Sequence, residues 1–133
     1  MNNTGVLKIT SLLSLVLLTI HVTDDIVRGI SKAESSNTAL AVLAILLYGT
    51  LVLADRRGGH VIMFIVGLLA VSMPVMHMRG QHYPEIAASP GGFFFVWILW
   101  VLGALGGVTM ILAVQGLWRL RRGGPRQPDD AAG

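Results

Sequence analysis

The chain reads as an all-α membrane protein, an up-down antiparallel bundle of four transmembrane helices with both termini cytoplasmic. Composition points there first. Of the 133 residues, 53% are apolar and only 13% are charged, about half the charged share of a soluble domain. A soluble domain of this size would lack the charge to cover its surface. The placement of the charges points the same way. Residues 38–54 form an uncharged run of 17 and residues 93–118 one of 26, against the roughly 20 residues a helix needs to cross a bilayer core. Finally, the connections are short, which makes sequential helices antiparallel neighbours. The stretches lack the alternation of barrel strands, and the hydrophobicity excludes intrinsic disorder. The absence of cysteine excludes disulfide frameworks, thiolate zinc sites and thiol nucleophiles.

Each element follows from its charge boundaries. Helix 1 is expected over 6–28; its apolar run follows Lys8 and carries His21. A cleaved signal peptide is disfavoured, since His21, Asp24, Asp25 and Arg28 separate that run from the faint cleavage pattern Ser31-Lys32-Ala33. Helix 2 is expected over 38–54, with Ser35, Ser36, Asn37 and Thr38 as ready N-caps. The polar turn Asp55-Arg56-Arg57-Gly58-Gly59 leads into helix 3 over 60–78. The loop from Arg79 to Gly92 holds Pro84 and Pro90, and helix 4 follows over 93–119. Residues 1–122 thus form one transmembrane domain, and 123–133 read as a disordered cytoplasmic tail.

Orientation follows from the basic residues. Lys8, Arg56, Arg57, Arg119, Arg121, Arg122 and Arg126 share one side, against Arg28, Lys32 and Arg79 on the other. Basic residues stay in the cytoplasm, so this is expected to be a multi-pass protein of the cell (inner) membrane, with the 29–37 and 79–92 loops outside. The net charge of +3 and the pI of about 10.0 then reflect topology and contact with anionic lipid. They imply no nucleic-acid partner.

The most informative segment is His21-Val22-Thr23-Asp24-Asp25-Ile26-Val27-Arg28. At about 100° per residue, Asp24, Asp25 and Arg28 fall within roughly 60° of His21, and Thr10 and Ser14 extend the same line. Ionisable groups in a span cost roughly 2.5–3.5 kcal/mol at its centre and face the bundle interior or water. Helix 3 brings His77 to the same depth, and His82 and Glu85 follow in the outer loop. His60 begins helix 3 at the opposite face.

Several chemistries suit this cluster. His21, Asp24, Asp25, His77, His82 and Glu85 form a candidate ligand set for a divalent metal such as Zn²⁺, Mn²⁺ or Fe²⁺. His21, Asp24, Asp25 and Arg28 form a candidate acid–base site, with Arg28 as an anion clamp. The adjacent aspartates also suit Mg²⁺ on a lipid-linked diphosphate. A b-type haem between His21 and His77 is a further reading. Against these stands a structural reading in which the acids pair with Arg28, Lys32 or Arg79. A Ser14–His21–Asp triad fails, because Ser14 lies seven residues, roughly 10 Å, below His21.

Pro74 is expected to kink helix 3 below His77, opening a pocket lined by Met73, Met76 and Met78. Those methionines suit copper(I) or, more simply, adaptable packing. Met63, Val66, Ala70 and Met73 make the region beneath the cluster apolar, which suits a lipid-like or hydrophobic small molecule. Gly103 and Gly107 form a G-x-x-x-G for packing within the bundle or for a homodimer seam. Phe93, Phe94, Phe95, Trp97 and Trp100 at one end of helix 4, and Trp118 at the other, read as aromatic belts, with a hydrophobic-ligand gate as the alternative.

Small multidrug exporters share the size, but their acid lies deep in the first helix, whereas the acids here lie near the helix end. Two function classes result. One is a membrane-embedded enzyme or binding site for a lipid-like substrate, supported by a metal or by acid–base groups. The other is a non-catalytic accessory subunit whose polar stripe pairs with a partner.

Overall fold

The computed structural model describes residues 3–29, 36–80 and 83–122. Its elements are α1 (Asn3–Val27), α2 (Ser36–Val52), α3 (Arg57–Met78), α4 (Tyr83–Ala88) and α5 (Gly92–Arg122), with no strand among the described residues. Ser35, the side chains of Ser36, Asn37 and Thr38, His82 and the 123–133 tail lie outside what it describes.

Three helices, α1, α3 and α5, are long and apolar enough to cross a membrane. The fourth apolar helix, α2, has 17 residues, about 26 Å at 1.5 Å per residue, which is short of a bilayer core of roughly 30 Å. It is also peripheral. It packs on α1 and α3, and Leu46 is its only buried large apolar side chain among the described residues. The centre of the molecule is the packing of α3 and α1 on α5. Large side chains such as Leu13, Val16, Ile65, Leu68 and Ile111 are exposed along these helices, as a lipid-facing surface requires.

The seam of α1 explains its rotation. Leu7, Ser11, Ser14, Leu18, His21 and Asp25 are buried, in alternating steps of four and three. That is the a/d spacing which keeps one stripe facing its partners. From the Arg-rich end upward the core runs through Leu7 with Met63 and Ala113, Leu15 with Leu46 and Val66, and Leu18 with Ala70 and Leu102. The apolar face of α3 expected beneath His77 is therefore packed core.

Hydroxyl groups in these helices mostly satisfy themselves. Thr10 donates to the Leu7 carbonyl, Ser14 to Thr10 and Thr109 to Leu105, the usual device for a hydroxyl away from water. Thr10 and Ser14, placed on the polar line by sequence, thus end as local hydrogen bonds. Ser11 instead reaches across to Thr50 in α2, Oγ to Oγ1 at 2.9 Å, with both side chains buried. Interhelical hydrogen bonds in membranes contribute about 0.6 kcal/mol on average and up to about 1.7. Ser11→Ala is therefore expected to destabilise the bundle by about 1 kcal/mol. A double-mutant cycle with Thr50→Val, read by denaturant unfolding in detergent, isolates the pair, and full additivity would show that it contributes nothing.

Close approach of α3 and α5 depends on Gly67 and Gly106. A Cβ on Gly67 would lie 2.7 Å from the Gly106 carbonyl oxygen, and one on Gly106 would lie 2.7 Å from both the Gly67 oxygen and Ala70 Cβ. The expected G-x-x-x-G pair divides: Gly103 packs under Pro74, whereas Gly107 meets nothing within 4 Å. α3 continues through Pro74 to Met78. Met73 packs against the core, but Met76 and Met78 are 66% and 42% exposed, so the expected methionine-lined pocket does not form from these three.

Candidate metal centre

The end of the bundle that carries α4 is polar for a reason rooted in the α1 seam. Two successive inward positions of that seam are His21 and Asp25, and Pro74 and Gly103 bring α3 against α5 just below His77. His21, Asp25 and His77 each offer one ligand atom, and these atoms all lie within 4.8 Å of one another. His77 Nε2 is 3.1 Å and His21 Nε2 3.5 Å from Asp25 Oδ2. The two imidazole rings meet edge to face at 4.6 Å between centroids. Phe95 closes the inner side, 5.3 Å from the His21 ring and 5.8 Å from the His77 ring.

The hydrogen bonding of this cluster is incomplete. His21 is 1% exposed, yet neither its Nδ1 nor its Nε2 has a hydrogen-bond partner among the described residues, and neither has Asp25 Oδ1. An orphaned buried polar group costs about 1–3 kcal/mol. His77 sharpens the deficit. Its Nδ1 lies 3.0 Å from the Met73 carbonyl, an acceptor only, so Nδ1 carries the proton. In the neutral ring Nε2 then presents a lone pair to the Asp25 carboxylate. Two lone pairs facing each other at this distance need something between them: a proton, carried by the ring or by the carboxyl, or a bound cation. A histidine that fixes its tautomer on a backbone carbonyl and turns the other nitrogen to a carboxylate-containing cluster is the usual arrangement around a metal.

The other residues expected at this site are arranged differently. Asp24 turns aside and accepts from Arg28 Nε at 2.7 Å. Arg28 Nη1 donates to Ser89 Oγ at 2.9 Å, and its guanidinium lies 5.7 Å from the Phe95 ring centroid. Gly91, at φ +80°, would place a Cβ 3.3 Å from Arg28 Nη2. Arg28 therefore straps the end of α1 to the α4–α5 connection, and its anion-clamp role competes with Asp24 and Ser89. Glu85 is exposed in α4 and lies outside the three-residue cluster. His60 is buried at the far end, with Nδ1 3.1 Å from the Arg56 carbonyl.

Phe95 and the segment before helix 4 differ from the sequence expectation. Phe95 is 2% exposed, while its neighbours Phe93 and Phe94 are 85% and 56% exposed, so it belongs to the site and not to the aromatic belt. Helix α4, expected as loop, begins with Tyr83-Pro84-Glu85. A proline and an acid in the first turn are a helix-start signal.

No family model, curated protein or solved structure matches this chain.

Proposed function

We propose that this chain is a membrane metalloprotein in which His21, Asp25 and His77 hold one divalent first-row transition ion, with Zn²⁺ the first expectation. The observation that carries this reading is that His21, Asp25 and His77 each bring a ligand atom within 4.8 Å of the others, while both buried His21 nitrogens and Asp25 Oδ1 lack a hydrogen-bond partner among the described residues. Two imidazoles and one carboxylate are the donor set of catalytic zinc sites, which keep a further position for water or substrate. Asp25 and His77 retain 12% and 17% side-chain exposure, against 1% for His21, so the approach is from their side. Bound there, the ion would supply a Lewis acid or an activated water. The exposed aromatics Phe93, Phe94 and Trp97 beside it suit a lipid-like substrate. Under the orientation expected from the basic residues, the site opens at the outer leaflet.

Two alternatives fit the geometry less well. In a haem bridged by His21 and His77 the porphyrin would lie between the rings, which touch at 4.6 Å. An accessory subunit would offer its acids to a partner, whereas Asp24 pairs with Arg28 and Asp25 lies against His77 within the chain.

The test is elemental analysis of the full chain in detergent after loading with Zn²⁺ and, separately, Co²⁺, followed by desalting. About one ion per chain is expected, with visible cobalt bands of a low-coordinate site. A folded protein that retains no ion after loading would overturn the reading.

A further inference from the structure

The opposite end of the bundle holds a second chemical feature, independent of the metal centre. Where α3 begins and α5 ends, Arg57, Arg121 and Arg122 line a groove of about 600 Å³ whose other walls are Val114, Leu117 and Trp118. Arg57 Nη2 donates to the Leu120 carbonyl at 3.3 Å, which holds its guanidinium across the gap between the two helices. Arg122 lies over the Trp118 ring, 4.6 Å from its centroid. Among the described residues no carboxylate pairs with any of the three guanidinium groups. The acid nearest Arg57 in sequence, Asp55, pairs with Lys8 at 3.4 Å.

Three guanidinium groups around one groove, with no carboxylate partner among the described residues, are complementary to a phosphate, which arginine binds through paired N–H donors. The depth fits a lipid phosphate. α5 has 31 residues, about 46 Å at 1.5 Å per residue, so its last turns emerge from a hydrocarbon core of roughly 30 Å at headgroup level. The walls fit a lipid as well. Val114 and Trp118 are 47% and 58% exposed and continue the apolar outer surface of α5. A free anion would gain nothing from them.

We infer that this groove binds an anionic phospholipid of the leaflet at the Arg-rich end. Arg57, Arg121 and Arg122 hold the phosphate, and the upper acyl chain lies along Val114 and Leu117 against Trp118. The lipid then bridges the start of α3 and the end of α5.

Native mass spectrometry of the full chain, released from micelles containing equal phosphatidylglycerol and phosphatidylcholine, tests this. Phosphatidylglycerol adducts are expected to exceed phosphatidylcholine adducts by about 100-fold, at about fivefold for each of the three arginines near an anionic headgroup. Arg121→Gln is expected to lower the adduct about fivefold on the same scale. Arg56→Gln removes the same charge at the same end but outside the groove, and is expected to leave the adduct unchanged. Trp118→Leu, a change at an exposed position, is expected to weaken retention without removing charge. Excess inorganic phosphate should not displace the lipid. Equal retention of the two lipids, equal effects of Arg56→Gln and Arg121→Gln, or displacement by phosphate would each overturn the inference.

Discussion

His21→Ala is expected to abolish metal retention, lowering affinity by at least about 100-fold, since even indirect partners of a metal ligand cost about 10–100-fold when removed. His77→Ala and Asp25→Asn should do the same, because each supplies one of three ligand atoms. Asp24→Asn, one residue away, should change affinity little, because Asp24 is held by Arg28 at 2.7 Å. The contrast between adjacent aspartates is the sharpest form of the test: equal effects of Asp24→Asn and Asp25→Asn would place the ion elsewhere. Stability supplies a second readout. A ligand that binds only the folded state adds about 2.7 kcal/mol at 100 times its Kd. Zinc should therefore raise the thermal midpoint of the wild-type protein and leave that of His21→Ala unmoved. A cluster held by a proton alone would show no metal-dependent shift in either. Acidification should release the ion, because both imidazoles and the carboxylate must be unprotonated to bind it.

Gly106→Val is expected to be the most damaging packing substitution, at about 3 kcal/mol or more, the upper end of overpacking costs. Its Cβ would meet the Gly67 carbonyl oxygen and Ala70 Cβ at 2.7 Å. One of these is backbone and cannot rotate away, so the two helices must part. Gly67→Val should be comparable, with the Gly106 oxygen at 2.7 Å. Gly107→Val is the control, since a Cβ there meets nothing within 4 Å. Denaturant unfolding in detergent should show it within about 0.5 kcal/mol of the wild type. A change in oligomeric state with Gly107→Val alone would assign that glycine to a seam between copies of the chain. Equal stability of the Gly106 and Gly107 variants would refute the close crossing. Because the crossing also positions His77 on α3 against Phe95 on α5, Gly106→Val should weaken metal retention as well.

The histidine cluster was legible as a depth and not as a set of contacts. His21 near the end of one apolar run and His77 near the end of another must meet one face of a bundle if the helices alternate in direction. Six candidates share that depth, of which His82 lies outside the described residues, and the structure brings His21, Asp25 and His77 together. The polar line drawn through Thr10, Ser14, His21, Asp24, Asp25 and Arg28 was broad enough to include two neighbouring stripes of α1. Its buried stripe is Leu7, Ser11, Ser14, Leu18, His21 and Asp25, whose steps of four and three were present in the sequence. The presence of two serines hid it, because a seam is ordinarily recognised by its apolar residues.

Composition and charge spacing by themselves determined the class of protein and, to within a few residues, where its long helices begin and end. They also separated an Arg-rich end from a His-rich end. These are properties of each segment alone, set by how many apolar residues follow one another and where the next charge stops them. Rotation of a helix about its axis is a different quantity. Successive residues differ by about 100°, so a small turn decides whether Asp24 or Asp25 faces His77, whether Phe94 or Phe95 closes the site, and whether Gly106 or Gly107 receives α3. Only the tertiary structure decided these, because the energy that selects a rotation comes from surfaces on other helices: the Gly67–Gly106 crossing, the Arg28–Ser89 strap and the ring of Phe95 against two imidazoles.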